Sequence, residues 1–164
     1  MGELAAVFMR AGLEIRPLVE AILRDPSFAA AVYARPRYPV EWVTAAFAVF
    51  GIDDVVKAFE LMTALGQAPF YPPNVAGWPP GNRWITPGAV VARAGLAVEA
   101  PVLEEIAGAH DPVTAVFRRA SIYDPTPRTH TAATDLAFEL RREPQRAAAA
   151  LLALAITAPE FTLA

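Results

Sequence analysis

"PVEWVTAAFAVFG", Pro39 to Gly51, is apolar on almost every side. Val40, Val43, Phe47 and Phe50 fall on one face at helical spacing, and Trp42, Ala46 and Val49 make a second. A helix apolar around most of its circumference packs in the centre of a protein, so this stretch predicts an interior helix and an all-α core. The next segment, "DDVVKAFELMTALG" (53–66), places Val55, Phe59 and Met62 on one side and Lys57 and Glu60 on the other. Asp53 is expected to cap it and Gly66 to end it. With Gly51 between them, the two segments predict a helical hairpin.

Working outward, proline sets the punctuation. Sixteen prolines would contradict a helical reading if they lay inside helices, where each costs about 3 kcal/mol. They do not. Asp25-Pro26, Thr86-Pro87 and Asp111-Pro112 each set a capping residue before a proline at the first helical position, where the missing N–H is no loss. On that basis helices are predicted at about 3–11, 17–24, 26–34, 39–50, 53–65, 87–97, 101–109, 111–120, 131–141 and 144–157. No segment reads as a strand. The expected architecture is one compact multi-helix domain over 1–164 with a long ordered Pro/Gly/Trp-rich loop. Its core is drawn from Phe47, Phe50, Phe59, Met62, Leu151 and Leu154. "AILRDPSF" (21–28) and "LAITAPEF" (154–161) echo each other: proline stops one helix and starts another turn, and phenylalanine two residues later folds back.

Composition narrows the functions. A chain 55% hydrophobic and 19% charged has the means to fold. A net charge of −3 offers no basic surface for nucleic acid, and none is expected as a partner. The lack of cysteine removes disulfides, thiolate catalysis and cysteine-type zinc sites. "MGELAAVFMR" carries Glu3 where an export signal wants positive charge. "AAAALLALAI" (147–156) is too short to span a bilayer and reads as a buried helix.

The loop "PPNVAGWPPGNRWITP" (72–87) is the place where ligand chemistry is most concentrated. Tyr71, Trp78 and Trp84 would form a stacking surface, with Asn74, Asn82 and Arg83 supplying directional hydrogen bonds to a sugar ring or another flat ligand. The reading preferred to this one makes Trp78 and Trp84 anchors fastening the loop to the helices, with Asn74 capping backbone groups. Arg93 is expected to serve structure, pairing with Glu41 or with loop carbonyls. His110, beside Asp111, and His130, in the polar run 123–135, read as solvated or capping. Neither has a second ligand at metal spacing, and no metal or cofactor is expected. Asp53-Asp54 and Glu104-Glu105 read as acids at helix starts or on helix faces.

"RYPVEWVTAAFAVFG", "LGQAPFYPPNVAGWPPGNRWITPGAVVARAGLA" and "ALAITAPEF" resemble, in that order, the C-terminal part of the bacterial domain-of-unknown-function 1800 family. The Pro-Asn-Val, Gly-Trp, Trp-Ile and Arg93 pattern carries most of the likeness. The resemblance implies no established activity and a longer parent protein, of which this chain would be the C-terminal portion. Genes of the family often lie beside those of exported, sulfatase-like proteins, which implies an envelope or extracellular setting and either partner, the neighbour or the rest of the parent. Two functions are carried forward: a noncatalytic helical module for binding or assembly, and part of a hydrolase-like enzyme whose catalytic residues lie outside this chain.

Overall fold

A computed structural model describes residues 2–31 and 34–163, without the side chain of Ala29. Among these residues there are eleven α-helices and two 3-10 turns, and extended backbone pairs in one antiparallel bridge, Pro36 with Leu163. The all-α class expected from the sequence is the class observed. The chain, read from its sequence as one domain, divides between Ala34 and Arg35 into two compact units.

The first unit holds α1 (Gly2–Arg10), α2 (Ile15–Arg24) and α3 (Pro26–Ala30). Asp25 caps α3 as expected, its carboxylate accepting from the Ser27 backbone N–H at 2.8 Å and from the Ser27 hydroxyl at 2.6 Å. The expected continuation of α3 to residue 34 crosses residues 32 and 33, which lie outside the described residues. Neither α1 nor α2 buries a residue. Met9, Ile15, Leu23 and Phe28 are all exposed, so Phe28 does not fold back as the echo predicts.

The second unit holds α4 (Pro39–Phe50), α5 (Val55–Ala64), α6 (Pro87–Leu96), α7 (Leu103–Ala107), α8 (Pro112–Arg119), α9 (Pro127–Glu139), α10 (Pro144–Thr157) and α11 (Pro159–Thr162). The 3-10 turns are Gly81–Trp84 and Ala97–Glu99. At its centre lies α10, packed against α6, α7, α8, α9 and α11. Ala147, Ala148, Leu151, Leu152, Ala155 and Ile156 are buried along one half of its circumference, and the alanines let neighbouring helices approach closely. In α4 both expected faces are buried: Trp42, Val43, Ala46 and Phe50 have no exposed surface. Gly51, in the left-handed conformation at φ 67°, ends α4 and turns the hairpin.

Trp42 joins α4 to α10. Its indole Nε1–H donates to the Ile156 carbonyl at 3.0 Å, and its ring meets Phe161 edge-on at 6.0 Å. Ile156 is in the last turn of α10, where carbonyls have no partner further along the helix. Phe161, on the short helix that Pro159 opens, does fold back as predicted and is 3% exposed. Its neighbour Glu160 is also buried and accepts from the Thr126 backbone N–H at 2.7 Å and the Thr129 hydroxyl at 3.2 Å, holding the start of α9. Burial pushes the Glu160 carboxyl up, but these hydrogen bonds outweigh it and hold the group below the usual glutamate range.

Three expectations fail in instructive ways. Helix α9 starts at Pro127, not 131, with the Thr126 hydroxyl accepting from the Thr129 N–H at 3.3 Å; it is a fourth cap-proline pair, and it puts His130 on a helix rather than in a loop. Asp54, not Asp53, caps α5, accepting from the Lys57 N–H at 2.9 Å. Most consequentially, α5 turns Ala58, Leu61 and Met62 inward, while Phe59 is 44% and Val55 80% exposed. Phe59 is therefore not core. Phe47, Phe50 and Leu151 are buried, and Met62 and Leu154 pack against the core partly exposed.

Replacing Trp42 with Phe keeps a ring but leaves the buried Ile156 carbonyl with only the longer hydrogen bond from the Thr162 hydroxyl, at 3.4 Å, so guanidinium unfolding should show a loss of about 1–2 kcal/mol. Phe59→Ala should lose under about 1 kcal/mol in the same measurement. The Glu160 carboxyl titrates lower in the folded chain than in the unfolded one, so its stabilisation is complete above about pH 5 and fades as acid protonates it. Glu160→Gln should thus be about 1–2 kcal/mol less stable at pH 7, with the gap closing below about pH 4. A gap that persists unchanged in acid would refute the carboxylate's role.

Candidate functional site

The loop is held at both ends by residues that reach the helices. At its entrance α5 closes with the Gln67 N–H donating to the Met62 carbonyl at 2.8 Å and the Gly66 N–H to Thr63 at 2.9 Å, Gly66 standing at φ 90°. Buried Gln67 then accepts from the Val40 N–H at 2.9 Å, satisfying one of the free donors at the start of α4. Nothing local marks Gln67 for this, because its partner lies 27 residues earlier. At the exit Trp84 is 4% exposed, its ring tilted against Tyr38 at 5.9 Å. A Cβ at Gly66 would sit 3.6 Å from the Trp84 ring, so the two anchored ends meet. Thr86 then caps α6, accepting from the Ala89 N–H at 3.1 Å.

Between the anchors the remaining named residues diverge. Asn74 folds its side chain onto its own turn, Oδ1 accepting from the Ala76 N–H at 2.8 Å. Trp78 is half-buried, with its Nε1–H lacking an acceptor among the described residues. Asn82 and Arg83 are exposed, as are Tyr71, Phe70 and Val75. Trp84 packs on Tyr38 rather than with Tyr71 and Trp78, so the three rings do not line up as one stacking surface. Gly77 and Gly81 take left-handed φ values of 86° and 70°, which let the chain reverse twice within the loop.

Arg93 does not pair with Glu41. Glu41 turns to Arg35, which donates to both its oxygens at 2.7 Å, and it also accepts from the Tyr38 N–H at 2.8 Å. Arg35's hydrogen bonds hold the Glu41 carboxyl below its usual range against a smaller opposing effect of burial. Arg93 is instead 1% exposed, its guanidinium lying 5.2 Å over the Trp42 ring. Burial pulls that guanidinium below its ordinary range.

The clefts of the second unit lie elsewhere. One of about 300 Å3 runs between α5 and α6, floored by Leu61, Ala64, Ala92 and Gly95, with the Lys57–Glu99 ion pair and Glu60 at its rim. Another of about 250 Å3 is walled by Phe117, Tyr123 and His130, with Arg118 beside them. His130 lies 6.3 Å from the Phe117 ring, and His110 is exposed beside the capping Asp111. No group of three or more His, Asp or Glu suited to a metal forms among the described residues. None of their helices is long and apolar enough to cross a membrane.

The anchored loop generates a mutational contrast. Trp84→Ala should destabilise the protein by about 3–5 kcal/mol in chemical unfolding, as expected for a large buried ring. Arg83→Ala, on the exposed side of the same turn, should stay within about 0.5 kcal/mol of wild type. Equal, small losses at both positions would refute Trp84 as the anchor.

Neither the curated proteins nor the solved structures hold a match to this chain. Protein families do: a match to "Protein of unknown function (DUF1800)" runs over residues 1–163. That span takes in the hairpin, the anchored loop with Trp84 and Arg93, and the closing Pro159–Phe161 turn, and the chain belongs to the DUF1800 family of proteins of unknown function.

Proposed function

We propose that this chain is a noncatalytic helical module for assembly, working within a larger envelope-associated protein, and that the α5–α6 groove receives an amphipathic helix from another polypeptide segment. The observation that carries the reading is the outward apolar surface around the groove. Val91, Gly95 and Val98 follow one another at helical spacing along α6 and the turn after it; Gly95 lines the groove, and Val91 and Val98 are 73% and 68% exposed. On α5 Val56 is 69% exposed, one turn before Glu60, which lines the groove. Small residues on the floor let a helix backbone come close, and outward valines give its flanks something to cover. Lys57, Glu60 and Glu99 at the rim would fix register through charge rather than affinity.

The hydrolase alternative would draw its acids or metal ligands from residues outside this chain. The described residues offer it Glu60 and Glu99 in one cleft, but no group of three or more acids or histidines suited to a metal.

A photoreactive amino acid placed at Val91 should form a discrete adduct with one polypeptide, whether a second copy or another segment, and the same group at Glu139 on α9 should not. Val56→Glu should abolish that adduct while changing stability by no more than about 0.5 kcal/mol, since the side chain is already in water. Equal and diffuse labelling at both positions would overturn the proposal.

A further inference from the structure

Arg93 is the buried cation of the second unit, and its hydrogen-bonding edge is unmatched. The buried polar and charged residues of the described chain are Gln67, Arg93, Thr129, Glu160 and Thr162, and Glu160 is committed to α9. Among the described residues Arg93 thus lies in the interior without an opposite charge. Two of its nitrogens, Nε and Nη2, are buried and find no acceptor among the described residues. Those two form one side of the planar guanidinium, the side-on fork that takes both oxygens of a carboxylate in parallel. One face of the same group is covered by Trp42 at 5.2 Å. The interaction with the ring contributes, but a ring accepts no in-plane hydrogen bond.

The cost of this arrangement is large for a folded protein. A buried charge without partner carries a penalty of several kcal/mol, and each unpaired donor adds to it. A second orphan donor lies nearby. Trp84 packs on Tyr38, the residue that opens α4, and Arg93 on Trp42 one turn later, and the Trp84 Nε1–H also lacks an acceptor among the described residues. The unmatched groups along this part of α4 are all donors, which calls for an acceptor rather than for further donors or apolar fill.

We infer that Arg93 is the receptor of a carboxylate-binding site, its Nε–H and Nη2–H engaging the two oxygens of one monovalent carboxylate. One negative charge neutralises one guanidinium, whereas a phosphate would leave excess negative charge in an apolar setting. The carboxylate is either a free small acid or one carried on a polypeptide side chain. At 1% exposure the site is closed, so occupancy follows transient opening and is read at equilibrium.

The test uses the whole chain dialysed into sodium chloride, with chloride then replaced at constant ionic strength by sodium acetate, by N-acetyl-glutamate amide or by sodium phosphate. Wild type should show a saturable rise in Tm, roughly 4 °C at ten times the half-saturating acetate concentration. Arg93→Met should show none, which separates site binding from general salt stabilisation. Should that variant fail to fold, the arginine Nε–H resonances of wild type supply the readout. One of them, identified by its absence from Arg93→Lys, should shift saturably with acetate. A response to acetate alone assigns a small free acid, and a response to N-acetyl-glutamate amide as well admits a polypeptide carboxylate. No saturable response to either carboxylate, or an equal response to phosphate, overturns the inference.

Discussion

The hydrogen bond from Trp42 to the Ile156 carbonyl is the closure on which the second unit depends. It spans 114 residues and joins the hairpin helix α4 to the last turn of the central helix α10. The last turn of any helix leaves carbonyls in need of donors, and here water is excluded. Pro159 sharpens the need, because it lacks the N–H that would reach back to Ala155; the Ala158 N–H makes that contact instead at 3.3 Å. The indole meets two demands at once: it supplies the shorter of the two hydrogen bonds that this carbonyl accepts, the other coming from the Thr162 hydroxyl at 3.4 Å, and it fills the centre with the largest fully buried side chain among the described residues.

Around that closure the residues after α10 act as a clamp with three jaws. Phe161 meets the Trp42 ring, Glu160 takes the N–H and hydroxyl groups at the start of α9, and the Thr162 carbonyl accepts from the Arg37 N–H at 2.8 Å. Arg37 also lies over the Phe161 ring at 5.2 Å. Three consecutive residues, through side chains or main chain, therefore tie the segment before α4, α4 itself and α9 to the end of α10. A carboxylate at a helix start gains from the backbone dipoles there, which is why a buried acid is tolerable at this point.

How much of this was legible in the sequence depends on the range of each interaction. Cap-proline pairs are local, and the helices they open are found near their expected places; even α9, whose start was misplaced, opens on the same Thr-Pro signal, obscured by the further proline at 125. Both faces of α4 are apolar and both are buried. The failure at α5 has the opposite cause: Val55, Val56, Ala58, Phe59, Leu61 and Met62 surround the helix, so periodicity alone cannot say which side meets the core. In the loop, tryptophan with glycine and proline marked a tethered segment, and Trp84 is a tether. The roles of Gln67 and Glu160 were not visible, because their partners lie 27 and 34 residues away and neither residue type is apolar.

The two proposals rest on the same imbalance seen from opposite sides of α5 and α6. A helix that is apolar all round has more surface to cover than one neighbour supplies. Helix α4 covers the inner side of α5, and the outer side keeps Val55 and Val56 in water. Helix α6 has the reverse arrangement: Val91 points outward while Arg93, two residues on, points inward against Trp42. Exchanging such neighbours would improve burial on both sides, and folding stability alone gives no reason to keep a valine in water beside an arginine in the core. An arrangement that costs stability at neighbouring positions is expected where surfaces serve recognition rather than packing, and it is on this ground that both proposals turn to α6.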